Sequence, residues 1–293
     1  MEYVRAGAEP RWGFADGLQI GLAPLPGPRG LLRVYAPYLG HGPLRVVNFI
    51  AVEPTPVGAT ERGFSELEWS ALDGERGKRM GSAAAPTDAF GPLSPGVVEP
   101  SGELTVYVPV ERFDNGAHVY VRLRFRPDRP YAVAVAGFHH PDSVPLARLT
   151  LTATMGNWAR LRRLHLASGP VTPAELWPGF TGDRFTAHAR FGLDALGRDA
   201  DGAVVVSATT DEAAPTTVAY AEGTAPHWHY EGRTAVQTWR AADPDPDLEV
   251  LVNGRACYWA SQSPIPGGVS FENFEFGAAY RPGQEYEFSV EPS

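Results

Sequence analysis

Three short stretches of this sequence set reactive side chains two residues apart. On an extended strand, alternate residues share a face and stand roughly 7 Å from one another along it. The first stretch is Gly63-Phe-Ser-Glu-Leu-Glu-Trp-Ser70, which alternation reads as a strand with Glu66 and Glu68 on one face and Leu67 and Trp69 on the other. Two carboxyls about 5–9 Å apart can divide acid and nucleophile roles in glycoside cleavage. Glu53, closing Asn48-Phe-Ile-Ala-Val-Glu53, could supply a further carboxylate.

The second stretch is His118-Val-Tyr-Val-Arg-Leu-Arg-Phe-Arg126. Strict alternation turns Val119, Val121, Leu123 and Phe125 one way, and His118, Tyr120, Arg122, Arg124 and Arg126 the other. On a chain of net charge -9 such a row asks for acidic partners. They are either Glu66 and Glu68 on a neighbouring strand or a ligand. Three arginines exceed what two glutamates neutralise, which favours ligand contact through two-pronged hydrogen bonds to carboxylate. Arg122 and Arg124 then bind substrate, and Trp69, Trp158 and Arg160 extend the surface, since indole rings stack on sugar faces. His118, Tyr120 and His139 are candidate bases for removing a proton beside a uronate carboxylate.

The third stretch, Pro226-His-Trp-His-Tyr-Glu231, would put His227, His229 and Glu231 on one strand face. Two imidazoles and a carboxylate suit iron or zinc. No cofactor is required by the chemistry above, so a divalent metal here is an added possibility. The spacing resembles the cupin pattern but departs from it: the glutamate is too close to the second histidine, and no later histidine stands near Pro266-Gly267-Gly268. Asp243, Asp245 and Asp247 offer oxygen ligands for calcium, although the prolines between them suit a solvated turn. Cys257 is alone among strand-formers and reads as a buried thiol.

The Glu66–Glu68 stretch loosely resembles the catalytic strand of laminarinase-like β-sandwich glycoside hydrolases. Two acid positions match, but Ser70 and Ala71 occupy the place of the third acid. Residues 265–276 and 281–290 resemble the closing strands of jelly-roll carbohydrate-active proteins and contribute no catalytic residue. These resemblances imply a sandwich fold and a glycan as substrate.

The elements that must position these groups are short strands. Runs rich in β-branched and aromatic residues recur at 31–35, 44–52, 104–110, 131–136, 149–154, 161–166, 203–209, 248–252 and 269–276, between Gly, Pro, Asp and Asn turns. Asn115-Gly116 and Asn253-Gly254 suit tight hairpins. One helical turn is expected after Thr172, where Pro173 and Glu175 form a capping pattern. The spacing predicts an all-β chain with very little helix, a two-sheet antiparallel β-sandwich of jelly-roll type in a single domain over 1–293. The 77–100 segment is a long loop of the kind that forms lids or binding sites.

An acidic chain without a polybasic block is a poor partner for nucleic acid or an anionic membrane, and no run is long enough for a membrane helix. No leader is visible at the N-terminus, which fits a cytoplasmic protein or a chain that lacks its leader. The expected function is cleavage of glycosidic bonds in a poly- or oligosaccharide by paired carboxylates. The alternatives are a polysaccharide lyase acting on uronates and a non-catalytic glycan-binding protein.

Overall fold

The computed structural model describes residues 2–154 and 157–293. Nearly all regular structure is antiparallel strand, arranged in two sheets. The first sheet has nine strands, in the order Tyr3–Val4, Arg11–Phe14, Gln19–Gly21, Leu31–Tyr35, Val46–Pro56, Leu146–Ala153, Ser270–Ala279, Glu249–Arg255, Ala189–Gly192. The second runs Gly169–Val171, Leu161–Leu166, Val204–Thr210, Ala235–Ala241, Glu285–Pro292, Ala132–His139, Val119–Phe125, Leu104–Pro109, Val97–Val98. A tenth short strand, Gly197–Arg198, pairs with Val204–Thr210.

Alternation builds the core. Val119, Val121, Leu123 and Phe125 are fully buried, and they join Ile50, Val52, Leu151, Phe274 and Phe276 of the first sheet in one hydrophobic cluster. Each such side chain contributes about 1.5–3 kcal/mol when removed from water. The chain is therefore a two-sheet antiparallel β-sandwich. Helix is confined to single turns, including Pro173–Leu176, where Thr172 and Glu175 close the expected capping box.

Three local readings are overturned. Residues 63–70 form a turn, not a strand, because Glu68 reaches back to accept from the Phe64 N–H at 2.9 Å. Residues 226–231 also form no strand; Pro226–Trp228 is a single 3-10 turn. Asn253-Gly254 is no hairpin tip but lies inside Glu249–Arg255, at an irregularity in its pairing with Ser270–Ala279. Glycine is needed there for close approach, since a Cβ would stand 2.7 Å from the Ser270 carbonyl oxygen.

The arginine row finds its acids within the second sheet. Arg122 and Arg124 both bond Glu285, two strands away, and Arg124 also reaches Glu103 at 3.4 Å. They can cross the intervening strand because it presents Ala134 and Ala136 beneath them. Glu66 and Glu68 take no part. The face is a self-neutralised surface lattice, which removes the charge-excess argument for ligand contact. Arg124→Gln should lower stability by about 1 kcal/mol in urea unfolding, the scale of a partly exposed ion pair. A change of melting behaviour too small to resolve would contradict that.

Candidate functional site

On the first sheet, the strands that bury Val52, Leu151 and Phe274 inward turn polar side chains outward at its centre. Glu53 lies opposite Thr150, and Thr152 opposite Glu275, so three adjacent strands place two carboxylates side by side. Both are buried: Glu53 is 6% exposed and Glu275 not at all. The cover comes from Arg62, which follows Val46–Pro56, and from His188, which precedes Ala189–Gly192.

Arg62 bridges the pair. Its Nη1 lies 3.0 Å from Glu53 Oε2 and 2.6 Å from Glu275 Oε2, while Nη2 donates to Glu275 Oε1 at 2.8 Å. The two glutamate oxygens are thus no farther apart than those two contacts laid end to end. His188 Nε2 stands 2.8 Å from Glu275 Oε1, and the Thr152 hydroxyl donates to Glu53 Oε2 at 2.7 Å.

The environments separate the two acids. Hydrogen bonds from His188 and Arg62 outweigh burial at Glu275 and bring its pKa down to about 2. Glu53 has the opposite balance. Burial pushes it up to about 7, against the pull of Arg62, and the negative charges of Glu275 and Glu66 add to the push. Near neutrality the site holds one carboxylate and one acid that readily gives up a proton. Neighbouring groups with pKa values driven apart are the arrangement that acid–base chemistry uses.

Of the two glutamates of the turn, Glu66 acts on this site through its charge and Glu68 does not. Glu66, in the turn after Arg62, is partly buried, which raises its pKa, while Arg76 pulls it back. Its charge reaches Glu53. Glu68 faces the other way: its carboxylate accepts from the Phe64 and Asp114 N–H groups at 2.9 and 2.8 Å and pairs with Lys78 at 3.2 Å. It is a clamp for the turn.

The remaining sequence candidates are scattered. His118, Tyr120 and His140 cluster on the outer face of the second sheet, where His118 Nδ1 lies 2.8 Å from Asp142 Oδ1 and the Tyr120 ring stacks on Phe138. His139 does not join them and instead meets the Tyr280 hydroxyl at 2.9 Å. Trp69 is 64% exposed on the Glu66 turn, available to a ligand. Trp158 and Arg160 are not: both are buried, the indole donating to the Val47 carbonyl and the guanidinium held by Glu212 and Tyr220.

The proposed metal set is not assembled either. His229 stacks on Tyr220, Glu231 pairs with Arg45 at 3.6 Å, and His227 lies against Trp228. Among the described residues no three His, Cys, Asp or Glu side chains are arranged to hold a metal ion.

Sequence reasoning missed Glu275, Arg62 and His188. Glu275 had a signal, since Phe274-Glu275-Phe276 alternates on a closing strand expected to supply nothing. Fold and site together define a β-sandwich with a buried, arginine-bridged carboxylate pair on one outer sheet face. No protein-family model matches this sequence, and no curated protein is significantly similar to it.

Proposed function

We propose that the protein hydrolyses glycosidic bonds in a poly- or oligosaccharide, with Glu53 as proton donor and Glu66 as the second carboxylate. The observation that carries this reading is Glu53, a buried acid fixed by Thr152 and Arg62 and kept protonated close to neutral pH by burial and two nearby carboxylates. Glycoside cleavage needs an acid at the leaving oxygen and a negative charge facing the positive charge that develops at the anomeric carbon. Glu53 gives its proton to the departing oxygen, Glu66 supplies the facing charge, and water adds its oxygen to the anomeric carbon while its proton returns to Glu53. Glu275, tied to Arg62 and His188, is a positioning residue that keeps Glu53 protonated.

Aromatic rings lie on the segments that carry the covering residues, Phe64 half-buried and Phe185 exposed, and Trp259 is exposed as well. Phe64 lies beside Arg62, and Phe185 stacks on Trp259 with the Arg255 guanidinium within 5.1 Å of both rings. The segment bearing Phe185 is pinned by a pair of hydrogen bonds between Thr186 and Gly254, two residues before His188. Exposed aromatic faces such as these suit stacking against sugar rings.

Two substitutions separate the roles. Glu66→Gln should abolish most hydrolysis with an unchanged melting temperature, whereas Glu68→Gln should lower the melting temperature and leave the chemistry of the folded protein intact. The reverse pattern would reject the assignment. The pH profile follows from the same groups. Glu53 must be protonated, so the rate falls as pH rises through about 7. Glu66 must be ionised, so the rate also falls on the acid side, giving a bell-shaped profile.

A further inference from the structure

An open cleft of about 410 Å³ lies between the 23–31 segment leading into Leu31–Tyr35 and the 77–100 loop. Arg29, Asp73, Lys78, Arg79 and Phe90 line it. The volume is within the roughly 300–1,000 Å³ of small-molecule sites. Most of its charge is matched. Arg29 grips Asp73 with two contacts of 3.1 and 3.0 Å, and Lys78 is engaged by Glu68 and Asp114.

Arg79 differs. Among the described residues its guanidinium has no carboxylate partner, and it lies over the Phe90 ring, 5.4 Å from the centroid. Its backbone is fixed by Glu111, which accepts from the Arg79 N–H at 3.1 Å and donates to the Arg79 carbonyl at 2.9 Å. Arg79 is exposed, stands over an aromatic ring on an anchored backbone, and shares the cleft wall with Met80 and Leu93. Of the three cations that line the cleft, Arg79 is the one without a carboxylate partner among the described residues.

We infer that the cleft binds a small organic anion, its oxyanion group held by the Arg79 fork and its body lying against Phe90. A planar fork matches carboxylate, sulfate ester and phosphate ester alike through two parallel hydrogen bonds. The cleft adjoins the site already described. Gly30 lines it and packs so tightly against the Ser65 carbonyl, beside Glu66, that a Cβ there would collide. A charged sugar is therefore the natural ligand class, although the inference stands whether or not Glu53 and Glu66 cleave it.

Calorimetric titration of the full chain at low salt tests this with four probes: sodium glucuronate, glucose 6-sulfate, glucose 6-phosphate and uncharged glucose. At least one acid should bind where glucose does not, and which of the three binds tells the headgroup. Arg79→Gln should weaken that binding tenfold or more. Phe90→Ala, which keeps the charge, should weaken it as well, while Arg184→Gln, an exposed arginine outside the cleft, should not. No binding by any acid, equal binding by Arg79→Gln, or an equal loss in Arg184→Gln would overturn the inference. None of these readouts depends on hydrolysis, so failure here leaves the Glu53 assignment to its own test.

Discussion

Glu53→Gln should reduce glycoside hydrolysis roughly 10²–10⁴-fold, the usual contribution of a positioned proton donor, while leaving the protein folded. Glutamine has the shape of a protonated glutamate and still accepts from Thr152, but has no proton to give to a leaving oxygen. Arg62 keeps its bidentate bond to Glu275 in the variant. Stability supplies an independent check with a definite sign. Glu53 binds its proton more tightly folded than unfolded, with a folded pKa of about 7 against an ordinary 4.5. Its ionisation therefore weighs against the fold, and wild-type stability falls as pH rises from about 4.5 to about 7. The glutamine variant lacks that slope, so it should equal or exceed the wild type at pH 8. Glu275 has the opposite sign: its folded pKa of about 2 means that its stabilisation is present above pH 4.5 and is lost as pH falls towards 2. Full activity in Glu53→Gln would remove Glu53 from the chemistry. A variant much less stable at pH 8 would show that its charge supports the fold.

The second large effect is on stability. Lys78→Met should destabilise the protein by about 1–3 kcal/mol, because it leaves the Trp69 carbonyl and the largely buried Glu68 carboxylate without their donor, Asp114 being exposed enough for water to replace it. Lys78 is the one lysine in the sequence, and its side chain is completely buried. Its ammonium has three N–H groups and meets three acceptors: Asp114 Oδ1 at 2.7 Å, the Trp69 carbonyl at 2.9 Å and Glu68 Oε2 at 3.2 Å. A compact, three-pronged donor fits that arrangement, and the flat arginine fork does not. Lys78→Arg should therefore fail to rescue the loss. The protein that stays folded should keep its chemistry, as in Glu68→Gln. Urea unfolding measures the first effect. An unfolding midpoint equal to the wild type would show that the ammonium is dispensable.

Strand alternation carried the fold. Val119 to Phe125 lies where its period of two predicts, because burial acts on each residue in turn and leaves its mark locally, and Leu161 to Leu166, which could also be read as helical, is the strand expected of it. The helical turn at Thr172 was legible for the same reason: donor and acceptor are three residues apart. The site was less legible. Glu66-Leu-Glu-Trp69 has a strand's pattern, yet a turn wins because Glu68 bonds back to its own segment and to Lys78. The arginine row lacked its partner because Glu285 is 161 residues from Arg124 along the chain, across a strand of alanines. Arg62 and Glu275 are 213 residues apart, and neither carries a motif. Of the carboxylates at the site, Glu53 and Glu66 could be nominated from sequence. Their companions exist only through the strand order.

A screen of polysaccharides with two readouts tests the central claim most directly. Purified protein is incubated with neutral and acidic glycans, and both new reducing ends and ultraviolet absorbance of unsaturated products are followed. Hydrolysis by Glu53 and Glu66 predicts reducing ends without absorbance on at least one glycan, lost in both Glu53→Gln and Glu66→Gln. Absorbance that survives these substitutions and disappears in His118→Ala would instead assign the chemistry to the opposite sheet and to elimination. Binding without any product would make the protein a glycan-binding module and contradict the catalytic reading of Glu53.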